Sequence, residues 1–287
     1  MPQARIGVIG GTGLYEIEGL HDVQEVNLDT PFGKPSDSII VGKLREVSVA
    51  FVPRHGRGHR ILPSELPSRA NIYALKTLGV QQIIAVCSAG SFKESVKPGD
   101  LLIPDQLIDR TVGRPATFFG NGIVGHVAFA EPFCPDVRAV LYRSALDAGA
   151  TVHDSGTMVV MEGPAFSTRA ESRLHRSWGA DIIGMTALPE AKLAREAEIC
   201  YGVIGCVTDY DSWHERREAV TVKIVLDILA ANMQLARNIV RLAIGRLAGE
   251  RHCECASALQ TAIVTAPDRI PADVKQKLRP IIGKYIR

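Results

Sequence analysis

Two aspartates stand two residues apart in the segment 208–213, directly after an apolar run at 201–207. If the chain stays extended here, alternate side chains face the same way, and Asp209 and Asp211 act as a pair. Paired carboxylates suit acid–base catalysis or metal binding, but a metal site lacks a third carboxylate or histidine at fixed local spacing. A solvated acidic loop is the alternative. The apolar run before the pair and Trp213 after it indicate a more enclosed setting.

A basic segment, 54–59, follows a predicted strand at 47–52 and holds two arginines and two histidines. The planar guanidinium of Arg54 presents a fork of donors that suits phosphate, and His55 can donate to the same oxygens. A solvated basic loop is the alternative. The position of the segment at a strand end, with two glycines that permit close approach, favours an anion site.

Two turns of small residues also follow predicted strands. Gly10-Gly11-Thr12-Gly13 lets several backbone N–H groups point at one anion, and Thr12 adds a hydroxyl donor. Cys87 and Ser88 open a second turn that could form another wall for an oxyanion. Plain turns explain both segments equally well. A dinucleotide fold would need G-x-G-x-x-G opening a long helix, whereas residues 16–20 offer barely one helical turn.

Other catalytic and metal-binding patterns are weak in this sequence. No P-loop lysine, G-x-S-x-G elbow or H-E-x-x-H pattern occurs. Cys87 would act as a nucleophile only if the fold placed a histidine beside it, which the sequence does not favour. The six cysteines are too sparse for a disulfide scaffold, and the Cys253-Glu-Cys255 pair is too isolated to indicate a zinc site. We therefore expect reduced thiols and no metal.

The segments that must position these residues alternate between strand and helix patterns. Short apolar runs predict strands at 5–9, 38–42, 47–52, 83–87, 101–104, 106–109, 158–161 and 201–207. Apolar spacing predicts helices at 66–78, 135–149, 168–178, 189–199, about 220–247 and about 271–284. The alternation predicts an α/β fold, a three-layer sandwich with a central mixed β-sheet flanked by helices. We expect one domain, 1–287, with a C-terminal tail from about residue 249.

Composition excludes several classes of partner. The chain has 287 residues, 46% of them hydrophobic, which is enough to bury a substantial core. Its formal net charge of +2 indicates no nucleic-acid surface, although a small phosphate remains compatible with it. No apolar stretch approaches the length of a bilayer span, and the N-terminus lacks the pattern of a secretion signal. We expect a soluble, cytoplasmic protein without membrane partners.

Taken together, the ordered motifs resemble the methylthioadenosine phosphorylase branch of the trimeric purine nucleoside phosphorylases. The resemblance runs from residue 6 to about residue 247. It is carried by the segments 9–14, 30–37, 54–57, 69–76, 131–133, 162–172, 184–186 and 208–211. So many motifs in one order make chance similarity very unlikely.

The resemblance implies a role for each candidate site residue. It implies a phosphate site formed by Thr12, Arg54, His55, Cys87, Ser88 and Thr186. It implies that Met185 lies under the ribose, that Phe166 packs on the purine, and that Asp209 and Asp211 address N7 and the 6-amino group. It also implies an apolar pocket for a methylthio group, formed by Val220, Val222 and Val225. His126 lies in a segment that, in this family, reaches into a neighbouring subunit's site.

The reaction that the resemblance implies is phosphorolysis of 5′-methylthioadenosine. Phosphate, a co-substrate, attacks C1′ through an oxocarbenium-like transition state, and Asp209 assists the leaving purine, without cofactor or metal. A carboxylate accepts from a 6-amino group but opposes the lone pairs of a 6-oxo group, which argues against 6-oxopurine nucleosides as substrates. A nucleotide-dependent oxidoreductase and a non-catalytic binding protein are the alternatives from other classes.

Some features depart from the family pattern or stay open. Cys87 stands where the family more often has a hydroxyl or amide residue, and Leu66-Pro67-Ser68 replaces the usual Asn-Tyr pair. Some members of the family carry a C-terminal C-x-C and internal disulfides, so Cys134 with Cys200, and Cys253 with Cys255, are candidate pairs. The resemblance also implies a homo-oligomer, either a trimer or a dimer of trimers. We expect residues 212–222 to form the lid.

Overall fold

The computed structural model describes residues 2–11, 14, 17–214 and 222–286, with only the backbone described at 222–227 and 229–231. In this part of the chain, one mixed sheet of eleven strands lies between two groups of helices. The predicted α/β sandwich is therefore confirmed. No helix among the described residues is long and apolar enough to cross a bilayer.

The strands and helices are numbered in chain order. The strands are β1 (Ile6–Gly10), β2 (His21–Val26), β3 (Ile39–Leu44), β4 (Val47–Pro53), β5 (Gln82–Ser91), β6 (Leu101–Leu102), β7 (Gln106–Arg110), β8 (Val152–His153), β9 (Thr157–Met161), β10 (Ile182–Gly184) and β11 (Cys200–Asp209). The helices are α1 (Ser68–Thr77), α2 (Pro135–Asp147), α3 (Arg169–Ser177), α4 (Ala187–Glu196), α5 (Val222–Arg246), α6 (Ala272–Lys277) and α7 (Arg279–Ile282).

Strand β5 is the centre of the sheet. Its first half pairs in parallel with β1 on one side, and β11 runs parallel to it along its whole length on the other. Its last two residues instead pair antiparallel with β10. Strand β4 continues the parallel part beyond β1. The carboxyl ends of β1, β4, β5 and β11 therefore open at one edge of the sheet, where sites commonly form in α/β folds.

The alternation of side chains along β5 separates two apolar cores. Ile83 and Ala85 join the core that α1 and α4 cover, whereas Ile84 and Val86 join the core under α2 and α5. Because successive strand residues point to opposite faces, a continuous apolar run is what a strand covered on both faces requires.

The structure departs from the predicted elements at several places. Strands β2, β8 and β10 are present although none was predicted, because β2 is largely polar, β8 has only two residues and β10 has only three. The single tail helix predicted over 271–284 is wrong. The chain forms α6 and α7 instead. Pro280 lies in the first turn of α7, where a missing N–H is tolerated, whereas a proline in the middle of one continuous helix would break it.

The C-terminal tail shares the core of the main body. Leu259, Ile270 and Leu278 are buried in the core that α1 covers, and Tyr73 of α1 donates to the carbonyl of Lys277. The prediction that the C-x-C pair is isolated is wrong, because Cys253 and Cys255 lie beside two other cysteines. All six thiols are free in the structure, so neither predicted disulfide pair is formed. The single-domain assignment stays a prediction.

A buried carboxylate fixes the loop that follows β7. Glu196, near the end of α4, is 5% exposed and accepts hydrogen bonds from Thr117 Oγ1 at 2.7 Å and from the Phe118 N–H at 2.6 Å. Burial raises the pKa of its carboxyl from 4.5 to about 7, against the opposing effect of these two hydrogen bonds.

We expect the stability of the protein to depend on pH through Glu196. A carboxyl whose folded pKa exceeds its unfolded pKa takes up a proton on folding, so the free energy of unfolding falls as pH rises from 4.5 to about 7. The contribution amounts to about 3 kcal/mol across this window. Urea unfolding across the window should show this slope in the wild type and lose it in Glu196→Gln. The exposed Glu18→Gln variant is the control, and an unchanged slope in Glu196→Gln would contradict the assignment.

Candidate active site

The candidate site lies around the second half of β5. The carboxyl ends of the parallel strands β1 and β4 reach it from one direction, and the carboxyl end of the antiparallel strand β10 reaches it from the other. Because β10 runs antiparallel to β5, its last residue, Gly184, arrives beside Ser88. A Cβ at Gly184 would lie 2.5 Å from the terminal methyl of Met158 and 3.4 Å from the Ser88 carbonyl oxygen, so glycine leaves room for the Met158 side chain at this point. Residue 186 is thereby placed beside Cys87. The turn predicted at Cys87 and Ser88 is wrong, because β5 continues through both residues to Ser91 and pairs there with β11.

A buried ion pair forms the floor of the anion-binding part. Arg54, directly after β4, donates from Nε and Nη2 to Glu190 at 2.6 and 3.1 Å, and the two side chains are only 3% and 2% exposed. Arg54 also donates to the carbonyls of Val86 at 2.8 Å and Ile9 at 3.4 Å. Burial alone lowers the pKa of Arg54, but the Glu190 carboxylate raises it well above its ordinary value. The guanidinium is therefore permanently charged and fixed.

The geometry limits what Arg54 offers to an anion. A guanidinium has five N–H donors, and the four contacts above use four of them. No contact with a described residue uses the fifth, which is on Nη1. Tyr201 donates to Glu190 at 2.8 Å and completes the buried network. Neither Glu190 nor Tyr201 was predicted, because a lone glutamate on a helix ordinarily faces solvent.

Cys87 and Thr186 lie beside this network. Burial raises the pKa of the Cys87 thiol to about 11, so the thiol is neutral near pH 7 and is a poor nucleophile. The hydroxyl of Thr186 is buried next to the thiol, whose pKa it lowers, yet it makes no well-aligned hydrogen bond to a described residue. A buried hydroxyl without a partner costs free energy, so its environment is suited to a ligand that accepts from it.

His55 has the opposite hydrogen-bonding role to the one predicted from the sequence, which was that of a donor to phosphate. Its Nδ1 lies 2.8 Å from the carbonyl oxygen of Ile61, and since a carbonyl only accepts, Nδ1 carries the proton. Burial, with the charges of Arg54 and His59, lowers the pKa of His55 to about 4. The ring is therefore neutral near pH 7, and its Nε2 accepts a hydrogen bond rather than donating one.

The two aspartates are brought together by a turn and not by an extended strand, as the sequence analysis had assumed. Strand β11 ends at Asp209, and Asp211 has a left-handed φ of +47° at the start of a short 3-10 helix. Asp209 accepts from the Thr208 hydroxyl and from the Asp211 N–H, both at 2.7 Å. A Cβ at Gly90 would lie 2.9 Å from Asp209 Oδ1, so β5 must have glycine at this point.

Burial raises the pKa of both carboxyls. For Asp209, burial is the main cause and the neighbouring charge of Asp211 adds to it, whereas the Thr208 hydroxyl and the Asp211 N–H oppose it. For Asp211, burial again dominates. One oxygen of Asp211, Oδ2, is buried without a hydrogen-bond partner among the described residues. This end of the site therefore holds carboxyls that are easier to protonate than ordinary aspartates, and one oxygen ready to accept.

Helix α3 and the loop residue Ser167 just before it supply polar neighbours of Asp211 that the sequence analysis did not name. Ser167 and Ser172 lower the pKa of Asp211, and His175 acts on it electrostatically. The side chains of Ser172 and His175 are buried, three residues apart on a helix whose other side chains are mostly exposed. That spacing is the signal that would have indicated an inward-facing polar stripe.

The remaining candidate residues differ in how far the structure describes them. Met185 packs so closely on Gly163 that a Cβ there would lie 2.5 Å from its sulfur, and buried Arg114 donates to the Met185 carbonyl at 2.7 Å. Phe166 is 40% exposed beside this end of the site. His126 is exposed, and its N–H donates to the Ala262 carbonyl.

Four predicted residues cannot be placed as side chains. Thr12 and Val220 lie outside the described residues, as does most of the predicted lid at 212–222. Val222 and Val225 belong to α5, of which only the backbone is described there. Their roles, and that of His126 at a neighbouring subunit, stay predictions.

Comparison with known proteins gives matches over most or all of the chain. The family model that is described as the phosphorylase superfamily matches residues 5–244. S-methyl-5′-thioadenosine phosphorylase of Geobacter sulfurreducens is 57% identical over 98% of this chain and 99% of its own, and that of Chloroflexus aurantiacus is 56% identical over 99% of each. The crystal structure of a methylthioadenosine phosphorylase from an Antarctic soil metagenomic library superposes with a TM-score of 0.94 at 46% identity, covering 98% and 99% of the two chains.

A less similar solved structure contains a bound ligand. The methylthioadenosine phosphorylase of Schistosoma mansoni, in complex with adenine, is 36% identical, has a TM-score of 0.82, and covers 90% of this chain and 96% of its own.

We expect removal of Glu190 to destabilise the fold strongly. Glu190→Ala leaves the Arg54 charge buried without its partner, which should lower the free energy of unfolding by about 3–5 kcal/mol. The double variant Arg54→Met/Glu190→Leu removes both charges and should lose less.

Chemical denaturation measures both changes, with Glu25→Ala as the control. Glu25 forms an exposed ion pair with Arg57, whose loss should cost less than about 1 kcal/mol. If Glu190→Ala and Glu25→Ala cost the same, the buried pair is not the structural element described here.

Proposed function

Because the chain belongs to the phosphorylase superfamily, we propose that it cleaves 5′-methylthioadenosine with phosphate, yielding adenine and 5-methylthioribose 1-phosphate. The observation that carries this function is similarity along nearly the whole chain to relatives named for the same activity. The chain is accordingly a pentosyltransferase of nucleoside salvage. The residue roles below are our proposal for how its geometry performs the reaction.

The phosphate binds, in this proposal, above the fixed guanidinium of Arg54. Three donors face the phosphate. The free N–H on Nη1 of Arg54 is cationic, and the hydroxyl of Thr186 and the thiol of Cys87 are neutral. Because Arg54 is already neutralised in part by Glu190, the positive potential is moderate. A phosphate held in this way keeps an oxygen directed at C1′ without being bound so tightly that it loses reactivity.

His55 orients the phosphate through the proton that the phosphate itself carries. The neutral ring presents Nε2 as an acceptor, and a monohydrogen phosphate has one P–OH group to donate to it. That contact places the proton away from the sugar and leaves an unprotonated oxygen for the attack. The arrangement selects the dianion, which also stabilises the positive charge that develops on the ribose.

The leaving purine receives its proton from Asp209. As the phosphate oxygen forms its bond to C1′, the C1′–N9 bond breaks and its electron pair passes into the base. The raised pKa of Asp209 lets a protonated carboxyl deliver its proton to N7. Asp211 accepts from the 6-amino group through the oxygen that lacks another partner. A 6-oxo group would place lone pairs against this oxygen, so the site favours 6-aminopurines.

Met185 and Phe166 complete the site around the sugar and base. Met185 is fixed by Gly163 and Arg114, which gives the ribose a rigid apolar floor. Phe166 keeps a large part of its ring exposed, which leaves a face for stacking on the purine. The methylthio pocket predicted at Val220, Val222 and Val225 lies outside the described side chains and stays a prediction. No organic cofactor and no metal take part in the chemistry.

We also infer that the working form is a homo-oligomer, a trimer or a dimer of trimers. His126 stands exposed on a loop that the C-terminal tail supports through Ala262, as a residue offered to another subunit would be. Light scattering of the purified protein tests the oligomer. A monomer with full activity would contradict it.

The function itself is tested by substrate choice. Methylthioadenosine, adenosine and inosine are incubated with the protein, each with and without phosphate, and free base is measured. We expect phosphate-dependent release of adenine from methylthioadenosine. Activity confined to inosine would show the substrate assignment to be wrong, and release that does not need phosphate would indicate a hydrolase.

Asp209→Asn should reduce kcat for methylthioadenosine by about 100-fold or more, because an amide cannot deliver the proton. In the wild type, kcat should fall as pH rises through the raised pKa of Asp209, since the carboxyl is then ionised. This alkaline decline should be absent in the variant. KM for phosphate should change little, and the exposed Asp273→Asn is the matched control.

Equal losses in turnover and in phosphate affinity would remove Asp209 from its assigned role. A pH profile of the same shape in the variant and the wild type would do the same.

A further inference from the structure

Four cysteines from three distant parts of the chain meet in one cluster, which we call the four-cysteine cluster. They are Cys134, Cys200, Cys253 and Cys255, and their four sulfurs all lie within 4.8 Å of one another. The sulfurs of Cys200 and Cys253 lie 3.3 Å apart. Three of the thiols are buried and Cys253 is partly exposed.

The four sulfurs are held by three backbone elements of different kinds. Cys134 occupies the N-cap position of α2, Cys200 is the first residue of β11, and the C-x-C pair lies where a short 3-10 helix begins after α5. The cluster therefore depends on the fold and not on local sequence. It also lies at the opposite end of β11 from Asp209, about 30 Å away for nine strand residues.

The spacing of the sulfurs suits a tetrahedral metal. Zinc binds thiolates at about 2.3 Å, which places the sulfurs of a tetrahedral site about 3.8 Å apart. Sulfurs within 4.8 Å of one another need only small rotations to reach that arrangement. Two disulfides would require each sulfur to approach one partner to about 2 Å and leave the others. In the cluster, each sulfur instead has three neighbours.

The surroundings compensate negative charge. Four thiolates around one divalent cation carry a net charge of −2, which is costly to bury unless cations or dipoles lie close. Arg251 places Nη1 3.9 Å from the sulfur of Cys200, and Arg195 acts electrostatically on Cys255. The N-terminus of the 13-residue helix α2 adds its positive end at Cys134.

We propose that Cys134, Cys200, Cys253 and Cys255 bind one structural zinc ion per chain. Binding converts four thiols to thiolates and releases four protons, with no change in oxidation state and no need of an oxidant. Four protein ligands leave no open position for water, so the site is structural and not catalytic. The proposal is independent of the proposed reaction, because it rests on residues outside the active site.

The metal would tie the C-terminal tail to the body. The two tail ligands precede Leu259 and Ala262, which enter the core, and Ala262 accepts from the N–H of His126. Next to the cluster, Glu198 accepts from the N–H of Leu259 at 3.1 Å and from Lys284 at 3.3 Å. Loss of zinc should therefore loosen the residues from 255 to 265 and the loop at 120–126.

Metal analysis of the purified protein tests the proposal. The chain is produced in zinc-supplemented medium, kept reduced, and measured by plasma mass spectrometry. We expect about one zinc per chain in the wild type, and at least about a tenfold loss in Cys200→Ser and Cys255→Ser. Cys206→Ser is the matched control, because Cys206 is buried on the same strand but lies outside the cluster, and it should keep the metal.

A second measurement does not depend on folding of the variants. An organomercurial reagent titrated into the wild type should release the zinc as four thiols react, and cobalt substitution should give the spectrum of a tetrahedral thiolate site. Hydrogen exchange should then increase at 255–265 and 120–126. Metal-free wild-type protein, equal zinc in Cys200→Ser, or iron in place of zinc would overturn the assignment. So would mass mapping that shows Cys134–Cys200 or Cys253–Cys255 disulfides.

Discussion

The ion pair between Arg54 and Glu190 is the contact on which the site depends. It joins the end of β4 to α4, and through Tyr201 and the carbonyls of Ile9 and Val86 it reaches β11, β1 and β5. Burying two charges costs several kcal/mol for each ion, so neither can be withdrawn from water without the other. The sheet and the helix must therefore pack in one arrangement, and that arrangement fixes the guanidinium that we propose faces the phosphate.

The two ends of the site control protons in opposite ways. At the phosphate end, burial keeps His55 and Cys87 neutral, one as an acceptor and the other as a thiol, while Arg54 keeps its charge. At the base end, burial makes the carboxyls of Asp209 and Asp211 easier to protonate. In the proposed reaction, the same desolvation prepares an acceptor for the nucleophile and a donor for the leaving group.

The amino-acid sequence predicted the fold class and most elements, because buried strands such as β5 form continuous apolar runs bounded by turns. Site positions at strand ends, such as Arg54 and Asp209, followed from the same reasoning, whereas Cys87 lies inside β5 and not at its end. The partners of these residues could not be predicted. Glu190 is an ordinary charge on a helix until the fold buries it, and Arg114 lies in a loop that gives no pattern. The polarity of His55 depends on the Ile61 carbonyl, and the four cysteines are up to 121 residues apart in a chain of 287.

Strand β2 has a consequence for how the protein behaves at high concentration. It forms one edge of the sheet, and its outer row of N–H and C=O groups is a template on which a strand of another molecule could add. Its sequence, His21–Val26, is mostly exposed and polar, its pairing with β3 is irregular between His21 and Gln24, and Asp22 and Glu25 hold ion pairs with Lys43 and Arg57. Because β2 is polar, the pattern of hydrophobic residues did not predict it, and the same polarity disfavours pairing of this edge with another molecule. Apolar substitutions there would promote aggregation while leaving the catalytic end of the sheet intact.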